Sequence, residues 1–170
     1  MISLDSFIYC KDQFFATGLA EVIPNGLAQG TFTFFDNEYI LEYGARESIH
    51  ATPTQPIIFI DNDLDYYALQ ILTKDSNLLL ISKKCKLSEI LTSLLLFKKK
   101  DAYKVGLSLS QSELQVLECL IRGATIEQMV ATLKRNEKTI YAHRNAIIKK
   151  LNLKNRNALY RLKTWADIFK

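Results

Sequence analysis

The 170-residue sequence predicts two folds in series: an α/β domain with a mostly parallel sheet, then an all-α domain of four helices. Three observations predict this. In the first part, short apolar runs alternate with segments of helical period. In the last part, helix follows helix, each with its own start and stop residues. The charge divides at the same place. Residues 1–104 hold 10 Lys/Arg against 13 Asp/Glu, a net of −3, and residues 105–170 hold 12 against 5, a net of +7, which together give the overall +4. The expected boundaries are an α/β domain over 1–97, a linker over 98–106 and the helical domain over 107–170.

Hydrophobic residues at 48% and charged residues at 24% match a globular chain with a real core, and exclude a disordered tail or a collagen-like rod. No apolar run reaches the roughly 18 residues of a membrane helix. The start carries Asp5 and no basic segment before an apolar stretch, so neither a secretory signal nor a membrane partner is expected, and the expected compartment is the cytoplasm. Cys10, Cys85 and Cys119 are odd in number and lack a C-x-x-C pair, which reads as free or buried thiols rather than a disulfide frame or a zinc site.

Taken in order, Phe7–Cys10 is a short apolar stretch. Asp12 can cap a helix carrying Phe14, Phe15, Leu19, Val22 and Ile23 at three- and four-residue spacing, and Pro24-Asn25-Gly26 stops it. Thr31–Phe35 is β-branched and aromatic and reads as a strand. Residues 36–55 carry no decisive pattern. Ile57–Ile60, after Pro56, is a continuous apolar run typical of a strand covered on both faces. A helix over Leu64–Thr73 and a buried strand over Leu78–Ser82 follow. Ser88 can cap a helix with Ile90, Leu91, Leu94 and Leu95 on one face. Strands alternating with helices in this way make a small, largely parallel sheet.

The helical part is punctuated throughout. Ser110-Gln111-Ser112-Glu113 and Thr125-Ile126-Glu127-Gln128 are capping boxes, each joining an N-cap hydroxyl to an acid or amide three residues on. The first opens a helix burying Leu114, Val116, Leu117, Leu120 and Ile121, with Gly123 placed for a left-handed C-cap. The second opens a shorter helix with Ile126, Met129, Val130 and Leu133. Lys134-Arg135-Asn136 makes the turn, and Asn136 can cap a third helix from Glu137 to Leu151. Asn152–Asn155 breaks that helix. Asn155 can cap a fourth, whose stripe is Leu159, Leu162, Trp165, Ala166 and Phe169. A short helix, a tight turn and a longer helix is the helix-turn-helix arrangement. On the third helix Ile140, Ile147 and Leu151 share one face, with His143 at its border. Tyr141, Ala142, Arg144, Asn145 and Lys149 lie away from it. A polar, basic helix face of this kind suits the DNA major groove.

Leu109-Ser110-Gln111-Ser112-Glu113, Val116-Leu117, Gly123, Thr139-Ile140, His143-Arg144, Ile147, Lys150-Leu151 and Asn155-Arg156 fall at the spacing of the LuxR/FixJ-type helix-turn-helix family, which residues 107–169 resemble. The turn departs from the pattern in Ala124-Thr125-Ile126 and in Lys134-Arg135-Asn136, which lacks the glycine often found there. The resemblance implies a domain that binds double-stranded DNA and dimerises through its last helix. It places Tyr141, Ala142 and Asn145 at base-facing positions and Lys138, Thr139, Arg144 and Lys149 near phosphates. It places Leu159, Leu162 and Trp165 on the side of the last helix that joins a partner.

Residues 1–97 resemble a shortened, degenerate response-regulator receiver. Asp61 follows Ile57–Ile60, where a receiver's phosphoacceptor would end a strand, and Ser82-Lys83 follows Leu78–Ile81. A receiver's paired acids for Mg²⁺ are replaced by Tyr9-Cys10-Lys11-Asp12, and one strand–helix unit is missing. Asp61, Asp63 and Asp65 are expected to cap the next helix and stay solvated.

The function expected is therefore a sequence-specific DNA-binding transcription regulator, a homodimer acting without phosphorylation. Two other readings stay open. One is an interaction protein that heterodimerises with another helix-turn-helix regulator. The other is a phosphorylation-gated regulator using Asp61. No enzyme chemistry is expected, because no nucleophile–base pair, paired carboxylate or metal spacing stands out, and no metal or cofactor is expected.

Overall fold

The computed structural model describes residues 7–23, 30–44, 49, 54–74, 78–96 and 103–169. The stop at 24–26 and residues 98–102 of the expected linker lie outside the described residues. The chain forms two compact units, Met1–Asp61 with Asp75–Lys104, and Asn62–Lys74 with Val105–Lys170. The second departs from the expected boundaries: a segment from the middle of the α/β region belongs with the helical module.

In the first unit four strands run parallel: β1 (Ile8–Tyr9), β2 (Phe32–Asp36), β3 (Gln55–Ile60) and β4 (Leu79–Ser82), in the order β1-β2-β3-β4. Phe34 registers with Ile57, and Phe59 with Ile81. Because side chains alternate along a strand, Phe32, Phe34, Ile57, Phe59, Leu79 and Ile81 share one core. Helix α1 (Gln13–Val22) adds Leu19, and α4 (Leu87–Leu96) adds Ile90 and Leu94. Asp12 caps α1 as expected, accepting from the Phe15 amide at 3.0 Å. Phe14, expected on the buried stripe, is exposed, because one turn-face of so short a helix is filled by Phe15 and Leu19.

The undecided segment 36–55 contains helix α2 (Asn37–Tyr43). Its signals were present in the sequence. Asp36 caps it, accepting from Tyr39 N at 2.6 Å, and Gly44 ends it in the left-handed region at φ 64°.

The second unit begins with α3 (Asp63–Leu72), capped by Asn62 rather than by an aspartate. It continues with α5 (Gln111–Ile121), α6 (Ile126–Leu133), α7 (Glu137–Lys150), a 3₁₀ turn over Arg156–Leu159 and α8 (Tyr160–Ile168). Both capping boxes form. Asn155 caps the 3₁₀ turn, so α8 starts four residues later than a directly capped helix would, at Tyr160. Val116, Leu117, Ile121, Met129, Ile140, Ile147, Leu151, Leu162 and Trp165 form the interior. The three cysteines are free. Among the described residues no helix is long and apolar enough to cross a membrane.

Candidate nucleic-acid interface

The position of α7 is fixed at both ends. At its start, Asn136 Oδ1 accepts from Thr139 N at 2.8 Å. Before it, Lys134 supplies the left-handed turn at φ 51° in place of a glycine, and Arg135 donates to Ser112 Oγ of α5 at 2.9 Å. At its end, Lys150 Nζ reaches Glu113 Oε2 at 2.8 Å and Ser108 O at 3.3 Å. Glu113 is buried and also accepts from Ser110 N at 2.6 Å. Burial disfavours its charge, but the Lys150 and Ser110 hydrogen bonds win and hold its carboxyl below the ordinary range. In the sequence Glu113 shows only as the acid of a capping box. Its ion pair to α7 is set by tertiary placement.

With Ile140 and Ile147 fully buried, the opposite face of α7 is presented outward. Tyr141, Ala142, Asn145, Lys138 and Lys149 are all exposed. Thr139 is half-buried, and its hydroxyl donates to Asn136 Oδ1 at 2.8 Å, so in this arrangement its proton serves the cap rather than a phosphate. Arg144 is half-buried, with its guanidinium carbon 5.8 Å from the centre of the Tyr141 ring. Beside it, Arg144, Arg122, Arg156 and Lys163 line a depression of about 470 Å³ floored by Ile121, Leu159 and Ala166. The sequence signalled this basic cluster only as a net charge.

Leu159, Leu162 and Trp165, expected at a partner's surface, are buried within the chain. Helix α8 packs on α3 and α5. Asp65 of α3, expected to be solvated, is fully buried. Arg161 grips it with two bonds, Nε to Oδ1 at 2.7 Å and Nη2 to Oδ2 at 2.6 Å, and the Trp165 indole donates to Oδ1 at 2.6 Å. Asn62 Nδ2 donates to Oδ2 at 2.9 Å. A carboxylate removed from water needs such donors, and here α8 supplies three of them.

The receiver-like site is also placed differently from expectation. Lys83 Nζ lies 3.3 Å from Asp36 Oδ2, so the acid that faces the lysine is Asp36 rather than Asp61. Asp61 accepts from Asn37 Nδ2 at 2.9 Å. The reason is sheet order: β2 is an interior strand, and Asp36 ends it beside the β1–α1 loop, whose Lys11 amide donates to Asp36 Oδ2 at 3.0 Å. Asp36 is fully buried. The Cys10 thiol beside it is pushed up to about 12 by burial, with the Asp36 charge adding to the shift. Among the described residues no group of three or more His, Cys, Asp or Glu side chains is arranged to hold a metal.

A short scaffold helix, a tight turn and a seated, outward-facing second helix define a helix-turn-helix DNA-binding domain. Residues 107–163 match the family model described as bacterial regulatory proteins, luxR family, so this segment is a luxR-family domain. No curated protein matches the chain. Among solved structures, the chain is similar to RcsB from Salmonella enterica serovar Typhimurium bound to promoter rprA in the presence of the phosphomimetic BeF3−, with 18% identity, a TM-score of 0.33, and 77% of this chain and 73% of that one covered. A second structure, of the Salmonella typhimurium RcsB response regulator, gives 18% identity and a TM-score of 0.31 over 85% of this chain and 80% of that one.

Proposed function

We infer that the chain is a sequence-specific DNA-binding transcription regulator that reads the major groove with α7 and acts without phosphorylation. The observation that carries the reading is the outward face of α7. Tyr141, Ala142 and Asn145 stand exposed on a helix held from beneath by Ile140 and Ile147. Asn145 offers the amide that pairs with an adenine edge, and Tyr141 and Ala142 offer apolar contact to a thymine methyl. Lys138 and Lys149, with Arg144, flank them as phosphate contacts.

The independence from phosphorylation follows from the acid site. Phosphoryl transfer to a carboxylate needs Mg²⁺ held by further acids. Here Asp36 meets a lysine and backbone amides, and the β1 end supplies Cys10, Lys11 and a single acid, Asp12, whose carboxylate caps α1. Asp61 has the Asn37 amide as its neighbour.

The test is binding to promoter fragments against competitor DNA over a salt series. Specific binding that survives competitor and weakens steeply with salt is expected. Equal affinity for every sequence at every salt sinks the reading. Incubation with a small phosphodonor and Mg²⁺ is expected to add no mass. A phosphoryl group found on Asp36 or Asp61 removes the second half of the proposal.

A further inference from the structure

The depression between the end of α5, the flank of α7 and the start of α8 combines two properties that a surface seldom keeps together. Its floor is apolar, with Ile121 and Leu159 beneath it and Ala166 beside them. Its walls are cationic: Arg122, Arg144, Arg156 and Lys163 line it, and among the described residues no acid does. A solvated basic surface needs no such floor, and a hydrophobic pocket needs no such walls. The volume of about 470 Å³ falls among small-molecule sites, which span roughly 300–1,000 Å³.

The chain itself does little to neutralise these cations. Arg122 shares one nitrogen with Glu118, Nη2 to Oε1 at 2.5 Å, in an exposed pair that leaves its other donors open. Among the described residues Arg156 and Lys163 have no carboxylate partner. Arg144 has its Nε buried without a hydrogen-bond partner, and the Tyr141 ring 5.8 Å from its guanidinium carbon is a weak substitute for an anion. Concave walls of one sign focus a potential that draws an anion in.

The base-facing residues play no part in this hollow. Arg122 ends α5, Arg156 opens the 3₁₀ turn and Lys163 lies on α8. Only Arg144 comes from α7, where it is half-buried while Asn145 and Lys149 are exposed. A DNA phosphate would meet the walls and leave the floor unused, since it brings no apolar body to lay on Ile121 and Leu159. A compact molecule with an anionic head and a flat apolar body uses both, and the exposed Tyr160 ring at the rim offers that body a stacking surface. A phosphate head suits four cations better than a carboxylate does. It carries about −1.5 to −2 charges at neutral pH, and the planar arginine forks match its oxygens.

We propose that this depression binds a small organic phosphate with a flat apolar body, its head held by Arg122, Arg156 and Lys163 and its body laid against Ile121, Leu159 and Tyr160. The site is independent of what α7 reads and is tested without DNA.

The experiment is isothermal titration calorimetry of the full chain with naphthyl phosphate, beside inorganic phosphate and naphthol as its two halves. Naphthyl phosphate is expected to bind at least about tenfold more tightly than either half. Arg156→Ala and Lys163→Ala, both at exposed positions, are each expected to weaken it at least about fivefold. Lys154→Ala removes an exposed cation outside the lining and is expected to leave the binding unchanged. The proposal is overturned if naphthyl phosphate binds no more tightly than one of its halves, if neither lining variant weakens it, or if Lys154→Ala weakens it as much as they do. Reduced promoter affinity in Arg156→Ala and Lys163→Ala, with no binding of naphthyl phosphate to the wild type, assigns these cations to the DNA backbone and equally overturns it. Promoter binding by the wild type, scored separately, decides the DNA reading alone.

Discussion

The parallel-sheet unit and the helical unit are organised by different kinds of information. In the helical unit each boundary is local. Ser110, Thr125, Asn136 and Asn155 all accept hydrogen bonds from amides three residues on, and each was recognisable from the residue itself. In the sheet unit the residues that matter to one another are far apart in sequence. Asp36 meets Lys11 and Lys83 only because β2 lies beside β1 in the sheet and β4 ends near them. A cap is specified by a few neighbouring residues, whereas a buried carboxylate is specified by the register of the whole sheet.

The comparison is broken most severely at Asp36. Asp36→Ala removes the partner of Lys83, the cap of α2 and the acceptor of the β1–α1 loop together. A loss of about 3–5 kcal/mol is expected, the size of breaking a buried ion pair. Urea unfolding followed by far-ultraviolet circular dichroism measures it, and a loss no larger than that of a simple cap would show the site to be dispensable.

A smaller, pH-confined effect is expected next to it. The Cys10 thiol, pushed by burial from its ordinary 9.0 up to about 12, binds its proton more tightly in the folded state. The unfolded chain therefore gives up that proton first. The contribution of Cys10 to stability is complete below about 9 and is lost as pH rises from there toward 12. Comparing the pH dependence of unfolding in the wild type and Cys10→Ala between those limits tests the sign: the wild type should lose stability faster.

In the helical unit the effects divide by role. Asn145→Ala is expected to lose about 1–3 kcal/mol at one base pair and to relax preference there, with other positions unchanged. Lys149→Ala is expected to weaken all sequences alike and to lower the salt slope by about 1. Binding to a panel of single-base variants over salt separates them, and identical behaviour of the two mutants shows the division of roles to be wrong. The smallest effect is expected at the local cap. Asn136→Ala removes the acceptor of the Thr139 amide and should cost about 1 kcal/mol in a thermal or urea melt.

Much of this was legible in the sequence because helix starts, helix stops and apolar periods are short-range signals. The four helices, both capping boxes, the Gly123 stop and the outward face of α7 are all of that kind. So are the strands over 57–60 and 79–82. Helix α2 carried the same signals, Asp36 before it and Gly44 after it, but its short length left too little apolar period to read. Three things were not legible. Asp65 looked like one more acid at a helix start, since nothing in its neighbourhood names Arg161 and Trp165 as its partners. The stripe Leu159, Leu162 and Trp165 showed that something apolar must cover α8, and amphipathicity does not say whether that is the same chain or another. Asp61 sat correctly at a strand end, yet the acid facing Lys83 is set by strand order, which a single sequence does not encode locally.

The sequence by itself thus determined the class of each half, the reading helix and the charge division between −3 and +7, because each follows from residue type, spacing or count. Tertiary structure alone decided that α3 belongs with the helical module and that Asp36 rather than Asp61 meets the lysine. Both outcomes depend on burying charges in pairs. A buried carboxylate is tolerated only where donors from distant segments converge on it, and that convergence is a property of the packed chain rather than of any stretch of it.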